Sequence, residues 1–291
     1  GGNVNLDPET ATTKTVGVIL QPSSILPGFA LTVDYWNIQV KDAIQGFGAD
    51  SILTACVNQS TATFEAPACS LINRDPSGSL WLTPGGYVTD TPNNEGRVKT
   101  DGVDFNSSYS HRLGGLGTLS ATFNGTWLRH YKVDNGLTAE YDCAGFYGPT
   151  CSGGTVASGA PMPKWRHKMR TTLNMKNGIG VSLQWRYTGK VTAETLQNNE
   201  SLHGDIPLDP GLHIHAQQYF DLATTYSFGD HYQFRLGVNN ILDNDPPLVT
   251  GGSAVLGGSN LCPAGPCNGN TYPGTWDALG RYIYAGVTLD F

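Results

Sequence analysis

Period-two alternation of apolar and polar residues recurs down the chain, and helical periodicity almost never appears. The last segment is the cleanest. Ile283, Ala285, Val287, Leu289 and Phe291 take one face, and Tyr284, Gly286, Thr288 and Asp290 take the other. The same alternation runs through residues 232–239, 220–226, 181–187 and 119–127, and more weakly through 103–109, 31–35 and 16–20. With residues 165–175 the pattern predicts roughly nine strands, each near the ~10-residue length of strands that cross an outer membrane. The one helix expected is short and lies in the first long connection, with Asp50 as N-cap before Ser51, Ile52 and Leu53.

The connections alternate in length. Short ones fall at residues 22–28, 113–117, 176–178 and 228–231, and long ones at about 45–96, 132–163, 192–214 and 243–280. Short turns at one end and long loops at the other predict an all-β, transmembrane, antiparallel up-and-down β-barrel. A sandwich with Greek-key links would show no such two-sided order, and a soluble sandwich with one wet face is the alternative. The segment from Trp165 assigns the faces. Arg166, Lys168 and Arg170 share one side, and each would cost up to ~2–4 kcal/mol if turned to lipid near the midplane. They are therefore expected to line a wet or protein-filled interior, along with Asp104, Asp221, Arg186 and Arg235. His167, Met169, Thr171, Leu173 and Met175 are left for the lipid side. So charged an interior needs a wide lumen, because small barrels fill theirs with packed side chains.

Composition narrows the function classes. Only 14% of the 291 residues are charged, against roughly 25% in ordinary soluble domains. The net charge of -7 argues against a nucleic-acid binder, which would present a basic face. No apolar run approaches the ~20 residues of a membrane helix. The six cysteines all fall in long connections, where local pairing costs least loop entropy: Cys56 with Cys69, Cys143 with Cys151, and Cys262 with Cys267. Such bridges imply an oxidising compartment. Zinc is not expected, since the cysteines lack ligand spacing.

His213 and His215 share a face near His203, Asp205 and Asp209, but loop histidines of this kind are more often solvated than ligating, and no metal is expected. Asp243-Asn244-Asp245 reads as a turn before Pro246-Pro247, because the glycine and distal glutamate of a calcium loop are missing. No nucleophile elbow, phosphate loop or zinc-protease helix occurs, so neither enzymatic chemistry nor a cofactor is expected. Trp81, Tyr87, Tyr141, Phe146, Tyr147, Tyr272 and Trp276 lie on or near the long loops. Either they stack on an arriving ligand, or they belong to the aromatic girdle or pack the loops themselves. Trp127, Trp165, Trp185 and Tyr187 sit at strand positions and are assigned to the girdle.

Three ordered motifs resemble the C-terminal barrel region of TonB-dependent outer-membrane receptors. Gly2-Asn3-Val4-Asn5-Leu6-Asp7-Pro8-Glu9 resembles that family's G-N-x-N-L-x-P-E loop, and Thr12-Thr13-Lys14-Thr15 leads into its expected strand. The stretch from Gly237-Val238-Asn239-Asn240-Ile241-Leu242-Asp243 to Pro246 resembles the penultimate-strand motif G-V-x-N-L-F-D-x-x-P. The ending from Gly280-Arg281-Tyr282 to Phe291 resembles its final strand, whose terminal aromatic is read by the barrel-assembly machinery.

The resemblance implies that residues 1–291 are the last part of a 22-stranded barrel, with the N-terminal plug domain and the TonB box outside this chain. It further implies multi-pass insertion in the bacterial outer membrane, among lipid and lipopolysaccharide. The implied work is energy-dependent uptake of a scarce nutrient, most commonly a ferric siderophore, with TonB and its inner-membrane energising complex as partners. Cobalamin and oligosaccharides are the family's other ligand classes. A passive porin or an adhesin-type barrel is the alternative function.

Overall fold

A computed structural model describes residues 2–80, 84–148, 150–151, 160–199, 213–229, 231–249 and 270–289. Nine long strands form one antiparallel meander in chain order. They are β1 (Thr10–Leu20), β2 (Phe29–Gln45), β3 (Asn93–Arg112), β4 (Gly117–Asp134), β5 (Trp165–Met175), β6 (Ile179–Thr188), β7 (Gln217–Phe228), β8 (Tyr232–Asn239) and β9 (Tyr282–Leu289). Every strand pairs with its sequence neighbour, and among the described residues β1 and β9 keep one edge each unpaired. Tight turns join alternate pairs at one end, while the connections 46–92, 135–164, 189–216 and 240–281 gather at the other. The nine strands and their two-sided connections agree with the sequence reading.

Register fixes which residues share a face, because directly opposed residues point the same way. One row runs Asp34, Asp104, Thr126, Arg166, Thr188. The next runs Thr32, Asn106, Asn124, Lys168, Arg186, Tyr219, and a third Ser108, Thr122, Arg170, Gln184, Asp221. All three are polar, and none could face hydrocarbon. The alternate positions carry Val16, Val18, Leu183, Tyr226, Phe234, Leu236, Ile283, Val287 and Leu289, all exposed. An apolar wall this extensive on a water-soluble protein would be an association surface; here it is the lipid face.

The outer wall also shows where the membrane stops. Moving away from the tight turns, the lipid-facing rows read Val33, Phe105, Gly125, His167, Tyr187 and then Tyr35, Val103, Trp127, Trp165. The next two turn polar: Asn37, Asp101, His130 and Gln39, Lys99, Lys132. Strands β2, β3 and β4 thus continue past the hydrocarbon as a wet extension. At the boundary Trp165, His167, Phe123, Trp185, Tyr187 and Phe220 form a continuous ring cluster, with His167 stacked 5.0 Å from Tyr187 and Trp185 edge-on at 4.4 Å. The Trp165 Nε1–H donates to His167 Nδ1 at 2.9 Å, so the ring proton sits on Nε2. Amphipathic rings collect where one edge is dry and the other wet.

A bulge marks the same level. Asp101 opposes His130 while Gly102 opposes Leu128, leaving Arg129 as the extra residue, and its guanidinium reaches Asp101 at 3.6 Å.

No buried core lies along the strands as it would between the sheets of a sandwich. Among the described residues, the two buried apolar clusters sit mostly in the connections. One joins Tyr147, Val191, Ala193, Ile214, Val249, Tyr272 and Trp276, and the other Val133, Tyr141, Cys143, Cys151 and Met162. The first is braced by a small sheet in which Phe146–Tyr147 runs parallel to Val191–Ala193, itself antiparallel to His213–Ile214.

In the first long connection helix α1 spans Ala49–Gln59, beginning two residues earlier than the sequence suggests. Gly48, not Asp50, takes the N-cap position with φ of 84°, a backbone that glycine adopts without strain. Its N–H donates to Asp90 Oδ2 at 3.1 Å.

Candidate functional site

Two disulfides shape the loops. Cys56 is bonded to Cys69, joining α1 to the short helical turn Pro67–Leu71, and Cys143 is bonded to Cys151 inside the second core. Cys262 and Cys267 lie outside the described residues. Glu194 ties the second connection to the third: its carboxylate is 2% exposed and accepts the N–H groups of Thr150 at 2.8 Å and Cys151 at 2.6 Å. Burial pushes its carboxyl above the usual range, only partly offset by those two donors. Burial likewise raises the Tyr141 phenol, which stays neutral.

Beneath these loops the polar wall and residues 273–279 of the last connection border an open cavity of about 870 Å³. The wall contributes Asp104, Asn106, Asn124, Thr126, Arg166, Lys168, Arg186 and Tyr219, and the loops contribute Pro161, Pro163, Trp276 and Asp277. Alternation places the cations here, since every second residue of β5 and β6 must face the lumen.

Arg186 is the best-held of them. Its Nε and Nη2 donate to Asp221 at 2.7 and 2.8 Å, Nη2 also donates to Asp277 at 2.9 Å, and the guanidinium lies 5.0 Å over the Tyr219 ring. Arg166 and Lys168 have no carboxylate partner among the described residues. Arg166, Lys168 and Arg186 thus share the cavity with the carboxylates of Asp104 and Asp277 and the rings of Tyr219 and Trp276, and no group of three or more metal-ligating side chains occurs among the described residues.

A sequence profile for the family described as TonB dependent receptor-like, beta-barrel matches residues 1–241. The chain belongs to that family. Members are barrels of the bacterial outer membrane, and that is where this chain resides.

Among solved structures it is similar to a mutant ferric enterobactin receptor of Pseudomonas aeruginosa in complex with enterobactin, at 16% identity and a TM-score of 0.60, over 100% of this chain and 32% of that one. The siderophore receptor PirA from Acinetobacter baumannii is similar at 13% identity and TM-score 0.54, over 100% of this chain and 33% of that chain. The ferric-catecholate import receptor Fiu of E. coli K12 gives 12% and 0.51, over 99% of this chain and 29% of that one. These likenesses concern the fold, and the chain spans about a third of the length of those receptors. No curated protein matches the sequence.

The structure distributes the aromatic residues singled out in the loops. Trp276 is 2% exposed and lines the cavity. Tyr141, Tyr147 and Tyr272 are buried in the two loop cores, and Phe146 packs partly against the second. Tyr87 is exposed on the short strand Tyr87–Val88 of the first connection, away from the cavity. Trp81 and Phe291 lie outside the described residues, as do His203, Asp205 and Asp209. His213 and His215 are exposed, on either side of buried Ile214.

Arg166, Lys168 and Arg186 were legible as interior residues from alternation, but nothing in the sequence marked them as one site. Asp277 carried no signal at all.

Proposed function

We propose that this chain supplies wall and outer loops to a receptor that takes up a scarce, anionic nutrient complex, a ferric siderophore first among the candidates. The observation that supports this reading is the cavity under the outer loops, lined by Arg166, Lys168 and Arg186 beside Tyr219 and Trp276. A catecholate or hydroxamate iron complex offers what such a cavity takes: negative charge for the cations and flat apolar surface for the rings. Enzymatic chemistry has no place in this reading.

Uptake would be energised through TonB and its inner-membrane complex, engaged by parts of the receptor beyond these residues. The chain would then be the C-terminal portion of the barrel, with Phe291 as the residue read by the barrel-assembly machinery and lipopolysaccharide against the outer face. The alternative is a passive porin or an adhesin-type barrel.

The test is uptake of labelled ferric siderophores, cobalamin and oligosaccharides by cells carrying the whole gene, with and without the energising complex. Loss of uptake without the complex is expected. Equal uptake in both strains identifies a passive pore, and energy-dependent uptake of a sugar or cobalamin keeps the importer and replaces the ligand.

A further inference from the structure

We propose that Asp277 is a built-in occupant of the anion site: it neutralises Arg186 while the cavity is empty, and an arriving anionic ligand displaces it and frees residues 277–279 from the wall. The inference rests on the anion-binding reading above and adds how the loop responds. Its basis is the unequal hold of two carboxylates on one guanidinium.

Asp221 belongs to the wall, where Gln184 Nε2 and the Asn240 N–H also donate to it at 3.0 and 2.9 Å. Asp277 stands on the last outer loop. Among the described residues its carboxylate meets the wall only at Arg186, and its N–H reaches the Tyr219 hydroxyl at 3.3 Å. Its other carboxylate oxygen accepts the Leu279 N–H at 3.3 Å, within the loop itself.

The proton count on Arg186 makes the two functions exclusive. Nε–H and one Nη2 proton go to Asp221, and the second Nη2 proton goes to Asp277. Two-pronged recognition of an anion by the outer edge of the guanidinium needs an Nη1 proton and that same Nη2 proton. A ligand seated so must take the place of Asp277, whose charge would otherwise repel it. Arg166 and Lys168, on the same cavity and without carboxylate partners among the described residues, supply the attraction that drives the exchange.

The displaced loop keeps its own turn, in which the Trp276 N–H donates to the Tyr272 carbonyl at 3.0 Å, but loses its ionic attachment to the wall. Charge thereby sets the loop's position: an uncharged solute of the same size would fill the cavity without freeing it.

The experiment is amide hydrogen exchange on the full-length receptor in detergent, followed by mass spectrometry of residues 277–281, with a ferric catecholate complex as probe. In the absence of probe, Asp277→Asn should exchange about tenfold faster than wild type over this segment. The asparagine preserves size and the Leu279 contact, and unchanged exchange in β7 and β8 confirms an intact barrel. Adding the probe should accelerate exchange in wild type, leave Asp277→Asn unchanged, and bind that variant about fivefold tighter, because no internal carboxylate competes.

Equal exchange of wild type and Asp277→Asn without probe overturns the attachment. Binding with increased protection of 277–281 overturns the release while leaving the site intact. Absence of binding to either protein overturns the anion site and the release together.

Discussion

Glu194 ties two outer loops together with one carboxylate, and its protonation is coupled to that tie. Burial raises its pKa in the folded state, so the folded loops bind the proton more tightly than unfolded ones do. The stability this contributes is complete below the ordinary carboxyl value of 4.5 and is lost as pH rises through the raised one. Exchange at residues 191–196, corrected for intrinsic rate, should therefore show more protection at about pH 5 than at about pH 7.5. Glu194→Gln should remove that dependence. Glu194→Ala should leave two buried N–H groups without an acceptor and cost the loop cluster about 1–3 kcal/mol, read from urea titration of its exchange.

Gly125 is held by sterics rather than charge. A Cβ there would stand 2.8 Å from Trp165 and 2.9 Å from Phe123, inside the ring cluster at the membrane boundary. Gly125→Val should cost about 1–3 kcal/mol in bilayer unfolding, because those rings cannot withdraw without breaking their stack.

At the scale of the strand, adjacent positions answer to different solvents. Leu183→Lys puts an ammonium group on the lipid face of β6 and should cost about 2–4 kcal/mol, seen as a lower yield of heat-modifiable barrel. Ser182→Lys, one residue earlier, points into the wet lumen beside Thr172 and should assemble normally. In the second connection, replacing Cys143 and Cys151 by alanine should weaken the loop cluster by about 2–3 kcal/mol on chain-entropy grounds, with the strands unaffected.

The strands were legible in the sequence for the same reason that Leu183→Lys is costly. Between lipid and lumen, each position has only one tolerable polarity, and alternation results. Past the boundary both faces are wet, so residues 93–102 and 128–134 lose the pattern although they remain strand. The bulge at Arg129 falls in that same stretch. The loop cores were hidden for another reason: their members come from segments far apart in sequence, where no period relates Tyr147 to Val249 or Trp276. The cavity inherits that obscurity on its loop side only, since its wall follows from register once the charged row of β5 is assigned.

For the whole molecule, polar groups pave the inside, apolar ones the outside, and well-packed apolar cores appear mainly beyond the membrane. The second and third connections are joined by more than packing. Gln197 Nε2 donates to the Asp142 carbonyl at 3.0 Å, Asn199 Nδ2 to that of Glu140 at 2.8 Å, and the Thr192 N–H to that of Gly145 at 3.0 Å. What the described part of this cluster offers to the exterior of the cell is therefore a surface assembled from several loops. Antisera raised against the folded receptor should recognise discontinuous epitopes and lose most of their binding once the protein is reduced and denatured. Antisera raised against a linear peptide of residues 140–151 should behave the opposite way, marking the denatured chain on a blot and passing over intact cells, because Tyr141, Cys143, Tyr147 and Cys151 face inward. Strong labelling of intact cells by such a peptide serum would show that the loops stand apart on the living surface.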